Sequence, residues 1–186
     1  LISTIAGFIG TYIVSRRLVF LSGGITHASF GGIGIAWYLG LNPILGAAVF
    51  SVLTALGLEF LTKGKILRED SAIGMLWSLG MAIGIFFVFL TPGYAPNLMS
   101  FLFGNILTIS YFDIELLLIL ALAVVVFFSL FYNPILFIAF DQDYAQTQHV
   151  PAKFIGYSLK VLVALAIVFS IRAIGIVLLI SLYTIP

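Results

Sequence analysis

The 186-residue chain is 62% hydrophobic and only 8% charged, with a mean hydropathy of +1.25, a composition that belongs in a membrane. A net charge of +1 without a continuous basic patch gives no sign of a nucleic-acid partner, and the lack of cysteine excludes disulfides and thiolate metal sites. The apolar runs are hydrophobic at odd and even positions alike, so the spans are helices and not the alternating strands of a barrel.

Taken in chain order, the runs cover residues 1–14, 18–39, 44–62, 71–91, 112–132, 154–171 and 173–186. They predict an all-α, polytopic transmembrane helical bundle of about seven spans. The first and last runs fall short of the roughly 20 residues that a crossing needs. The expectation is therefore a single transmembrane domain over 1–186, cut within a span at both ends.

The run from Leu18 to Leu39 is otherwise uncharged, apolar and glycine-rich, and His27 sits near its middle. At about 1.5 Å per residue its imidazole lies roughly 13 Å from the nearer end of the span. Ionisable groups at such depth are costly and face a bundle interior or a polar path, which makes His27 the first functional candidate. A single hydrogen bond to a neighbouring helix is the plainer alternative. Helical spacing puts Gly23, His27, Gly31 and Gly34 on one stripe, a small-residue seam of the kind that lets helices approach closely in lipid. Ser22, Thr26 and Ser29 add hydroxyls on an adjoining face.

Basic residues collect on the cytoplasmic side of membrane proteins. That rule places Arg16 with Arg17, Lys63 with Lys65 and Arg68, and Lys153 with Lys160 inside, and the turns at Asn42-Pro43 and Thr91-Pro92-Gly93 outside. Arg172 falls outside as an exception. Glu59 is expected to snorkel or to pair with Lys63, and Asp70 to cap the fourth span. Residues Leu98 to Ile109 are expected to form a short re-entrant or interfacial helix on the outer side. Ser110-Tyr-Phe-Asp113 has the spacing of a capping box and predicts a fresh helix start. Tyr94, Asn97, Asp113 and Glu115 then face outward. Asp141 to His149 is the longest polar stretch; it reads as a short cytoplasmic helix, either a plain linker or a docking element.

Several segments resemble the permease subunit of zinc-, manganese- and iron-type ABC importers. They are Tyr12-Ile-Val-Ser-Arg-Arg-Leu18, Ser22-Gly-Gly-Ile-Thr-His27-Ala-Ser-Phe-Gly-Gly32 and Glu69-Asp-Ser-Ala-Ile-Gly74, followed by Phe101-Leu-Phe-Gly-Asn-Ile-Leu107, Asp141 to His149, and Ile171 to Ser181 running on to Ile185-Pro186. The resemblance implies a homodimeric permease in a bacterial inner membrane, surrounded by lipid. It implies an extracytoplasmic metal-binding protein that delivers a divalent ion (Zn, Mn or Fe) and cytoplasmic ATPase subunits that drive it. No permanent cofactor is implied; the metal is cargo. His27 matches the family's second-span histidine, which usually has an aspartate four residues earlier; here that position is Gly23. The 141–149 segment is similar to the family's coupling helix, with Ala145 at a recurrent alanine and His149 where glycine is common, so Asp141, Ala145 and His149 are expected to meet the ATPase.

The chain has no GxxxxGK[ST] loop, so nucleotide chemistry is not expected in it, and the lack of an HExxH pair argues against a metalloprotease. The alternative function is an ion-coupled secondary transporter in which His27 relays protons.

Overall fold

A computed structural model describes residues 1–62, 67–92, 104, 109–140 and 151–185, without the side chains of 152 and 153. The described residues form helices α1 (Ile2–Ser15), α2 (Val19–Tyr38), α3 (Pro43–Thr62), α4 (Glu69–Leu90), α5 (Tyr111–Leu130), α6 (Tyr132–Phe140) and α7 (Ala152–Thr184). Local chemistry explains several starts. Pro43 opens α3, where its missing N–H costs nothing, and the Asn42 carboxamide oxygen accepts from the Ile44 N–H at 2.9 Å. Ser110 and Asp113 form the expected capping box of α5. At α4, in contrast, Arg68 occupies the cap position without a side-chain bond. Asp70 lies in the first turn beside Glu69, where it complements the helix dipole and is not the cap.

Among the described residues five helices are long and apolar enough to cross a membrane, namely α2, α3, α4, α5 and the bulk of α7, while Ile2–Ser15 is shorter. Seven spans were expected. Two things make the difference: the first run, as Ile2–Ser15, is too short to count as a span, and the runs 154–171 and 173–186 belong to one helical stretch broken at Gly175 (φ 75°, ψ 168°). That backbone conformation is open essentially to glycine alone. The chain folds back there. The buried Tyr183 hydroxyl lies beside that of Ser170, though without a well-formed hydrogen bond. In a straight helix these two residues would stand about 20 Å apart. The returning arm ends against α1, where a Cβ added to Gly10 would touch the Tyr183 carbonyl oxygen at 3.4 Å.

Helix α7 is the axis of the bundle and touches α1, α2, α3, α5 and α6. Ile155, Leu159 and Ile167 of α7 pack with Ile5, Ile9 and Ile13 of α1, Leu21 and Ile25 of α2, Leu58 of α3 and Val124 of α5 in one apolar core. Ion pairs mark its two ends. Lys160 binds Glu59 of α3 and Glu69 of α4, and Arg16 Nη1 donates to the Ile138 carbonyl at 2.7 Å. About 18 Å further along α7, Arg172 binds Asp113 at the start of α5. Glu59 pairs with Lys160, because α3 and α7 pack side by side and bring together groups 101 positions apart; Lys63, the partner expected from spacing, lies outside the described residues.

The interfacial helix expected over Leu98 to Ile109 lies outside the described residues except for Gly104 and Ile109. Gly104 (φ 67°) sits against the α7 break, where a Cβ would come within 2.6 Å of the Ile174 carbonyl carbon.

Candidate translocation site around His27

Helix α2 is the most enclosed of the spans. Its serine and threonine hydroxyls are satisfied within the helix: Ser22, Thr26 and Ser29 donate to the carbonyls of Val19, Ser22 and Thr26 at 2.8, 2.6 and 2.6 Å. They are buried, and they do not face an open path.

Two tight seams hold α2. Toward α4, a Cβ on Gly31 would meet the Gly80 carbonyl oxygen at 2.9 Å, and one on Gly34 would meet the Gly84 oxygen at 2.5 Å. From the other side, a Cβ on Gly80 would come within 2.6 Å of the Ala28 Cα. Toward α3, a Cβ on Gly32 would come within 2.6 Å of the Gly46 carbonyl carbon. Backbones this close leave no room for side chains larger than hydrogen, which is why both helices carry glycine here.

The stripe read from the sequence therefore divides. Gly31 and Gly34 lie in the α2–α4 seam, whereas Gly23 does not: a Cβ there would meet nothing within 4 Å. Gly23, His27 and Phe30 are the partly open positions along this part of α2, one narrow strip flanked by buried residues. His27 is half-buried on that strip. Its imidazole stacks on the Trp77 indole of α4, with ring centroids 4.4 Å apart and planes 2° from parallel. Phe20, one turn before Gly23, tilts against the same indole with ring centroids 5.9 Å apart.

Sequence reasoning missed Trp77. The signal was present in Gly80-Met-Ala-Ile-Gly84, a small-xxx-small pattern on α4 that matches the glycines of α2 and puts Trp77 one turn below the seam. Among the described residues no three His, Asp or Glu side chains gather where they could hold a metal ion, so His27 stands there as a single nitrogen donor. Asp141, Ala145 and His149 lie outside the described residues, as do Tyr94 and Asn97. Asp113 is held by Ser110 and Arg172, and Glu115 is exposed on α5.

A bundle of apolar helices with a glycine-sealed pair around one mid-span imidazole defines a multi-pass membrane protein of the transport class. Comparison with known proteins gives the family: the whole chain, residues 1–186, matches the ABC 3 transport family, and the protein belongs to it. An uncharacterized membrane protein of Synechocystis sp. is 39% identical over 186 residues, which cover this whole chain and 66% of that relative. The manganese transport system membrane protein MntC of Halalkalibacterium halodurans is 34% identical over 186 residues, covering 100% of this chain and 64% of the relative. Among solved structures, PsaBC from Streptococcus pneumoniae in complex with Fab superposes with a TM-score of 0.80 at 28% identity, over 98% of this chain and 65% of that one. The chain thus spans about two thirds of the length of the relatives it matches.

Proposed function

We propose that the full protein is the permease subunit of an ATP-driven importer for divalent transition-metal ions. It works as a homodimer with cytoplasmic ATPase subunits and an extracytoplasmic metal-binding protein. The observation that carries this reading is the placement of His27: a side chain able to bind metal midway along the most enclosed span, on a strip that is partly open among the described residues. The chain's similarity to a manganese transport system membrane protein supports a divalent metal as cargo. In this reading the strip of Gly23 and His27 faces the path, the α2–α4 seam of Gly31 and Gly34 keeps its wall rigid, and the segment with Asp141, Ala145 and His149 docks into the ATPase. The metal is Zn, Mn or Fe, it is cargo, and no permanent cofactor is needed. ATP hydrolysis resides in the partner subunits.

The test is metal uptake by the full-length protein with its ATPase and binding protein, comparing His27→Ala with wild type. Loss of uptake with normal assembly is the expected result. Undiminished uptake with unchanged metal preference would remove His27 from the path.

A further inference from the structure

We infer that Trp77 is a positioning residue for His27, and that the pair makes the path select a nitrogen-preferring divalent ion such as Zn²⁺ over a carboxylate-preferring one such as Mn²⁺. The inference rests on the reading of His27 as a path residue.

The first step is geometric. An imidazole binds metal through a nitrogen lone pair in the plane of its ring. A parallel stack 4.4 Å between centroids covers a ring face and leaves both edges free. Trp77 therefore fixes the plane of His27 without using up its ligand capacity. Most partners that orient a ligating histidine do so by hydrogen-bonding one nitrogen. Among the described residues no hydrogen bond to His27 is present, so the indole is its orienting contact.

The second step concerns rigidity. The stack is bracketed by close contacts between the same two helices. Below it Gly24 abuts Ile73, and above it Ala28 abuts Gly80, followed by Gly31 against Gly80 and Gly34 against Gly84. Register between α2 and α4 cannot slip without breaking these contacts, and Phe20 closes a further side of the indole. Both rings are thus set by backbone packing. A side chain held in place before binding avoids the ordering cost of a free one, which for affinity amounts to roughly two- to tenfold.

The third step is the donor set. One turn from His27, Gly23 leaves open space and no carboxylate, and α2 carries no Asp, Glu, Lys or Arg. An ion seated there takes nitrogen from the protein and completes its shell with water or with the same group of a second copy. Imidazole suits Zn²⁺, Cu²⁺ and Ni²⁺, whereas Mn²⁺ favours carboxylate and water.

The experiment uses the full-length protein with its ATPase and binding protein in lipid vesicles, with Zn²⁺ and Mn²⁺ as competing cargo. Trp77→Leu is expected to raise the half-saturating Zn²⁺ roughly two- to tenfold and to narrow the preference for Zn²⁺ over Mn²⁺. Trp77→Phe, which keeps a stacking face, is expected to restore most of both. A preference for Mn²⁺ in the wild type, or Trp77→Leu with unchanged half-saturation and preference, overturns the inference. His27→Ala separates the two levels: if it changes nothing, the path reading itself fails, whereas if it abolishes uptake while Trp77→Leu behaves as wild type, the Trp77 role alone fails. Should Trp77→Leu not assemble, the stack is read directly. In full-length protein with Trp37 and every tryptophan other than Trp77 replaced by Phe, Zn²⁺ should change the emission saturably and His27→Ala should abolish that change. Emission indifferent to Zn²⁺ overturns the proposal.

Discussion

Arg172 Nη1 donates to Asp113 Oδ1 at 2.8 Å, while the other oxygen of that carboxylate accepts from the Ser110 N–H at 2.8 Å and from the Ser110 hydroxyl at 2.7 Å. One nearly buried side chain thereby caps α5 and ties it to α7 just before the break at Gly175. Arg172, which the basic-residue rule left as an exception, thus has a fixed anionic partner.

The two jobs of Asp113 are separable by mutation. Ser110→Ala removes a cap and should cost about 1 kcal/mol. Asp113→Ala also strips the Ser110 N–H and Arg172 of their acceptor and should cost about 2–3 kcal/mol, the ion pair being discounted because Arg172 is partly exposed. Thermal unfolding of the full-length protein in one detergent would rank the two variants. Equal losses would mean that the Arg172 contact contributes nothing measurable.

The glycine seams invite a paired comparison on one helix. Gly34→Val pushes a branched side chain into the Gly84 backbone, already 2.5 Å from where a Cβ would sit, and neither helix can yield alone. Overpacking of this kind costs about 1–3 kcal/mol or forces the helices apart. Gly23→Ala meets open space and should be neutral or stabilising by up to about 1 kcal/mol through helix propensity. Stability measured on both variants would show whether the strip and the seam differ as the geometry says. A destabilising Gly23→Ala would mean that Gly23 packs against something after all.

The helix starts and the bundle class were legible because they rest on local rules: apolar run length, Pro43 at a first turn, Ser110 and Asp113 at capping spacing. What could not be read from the chain is whatever depends on register between helices. Glu59 pairs with Lys160 on α7, a partner that no spacing along the chain suggests, because helix packing brings α3 and α7 together. Gly23 and Gly31 share a helical face by arithmetic, yet α4 covers one and not the other. The stacking of His27 on Trp77 required the same knowledge. The glycine at 175 was visible, but a positive φ inside an apolar run leaves no compositional trace, so the boundary between the last two runs was expected at Arg172 and not at Gly175.

That break makes its own prediction. Gly175→Ala places a Cβ in a backbone conformation that L residues avoid, at a cost of about 1–3 kcal/mol. The buried arm that ends at Tyr183 against Gly10 should loosen with it. Hydrogen exchange over 176–184 would rise ahead of the rest of α7. Unchanged protection there would show that the arm is held by its own packing and does not need the turn.

The Lys160 ammonium serves two carboxylates, Glu59 on α3 and, at 3.5 Å, Glu69 on α4, and so joins the ends of three helices. Removing it by Lys160→Met keeps much of the volume but leaves two half-buried like charges facing each other, an arrangement that should cost about 2–4 kcal/mol. If the loss reflects stranded carboxylates, neutralising the closer one must recover much of it. The double variant Glu59→Gln with Lys160→Met should then be more stable than Lys160→Met alone by about 1–2 kcal/mol, with Glu69→Gln giving less because Glu69 is farther and more exposed. A double-mutant cycle on unfolding midpoints in the full-length protein measures this coupling. Strict additivity would show that Lys160 acts through the packing of its stem against α3, with the charges well solvated.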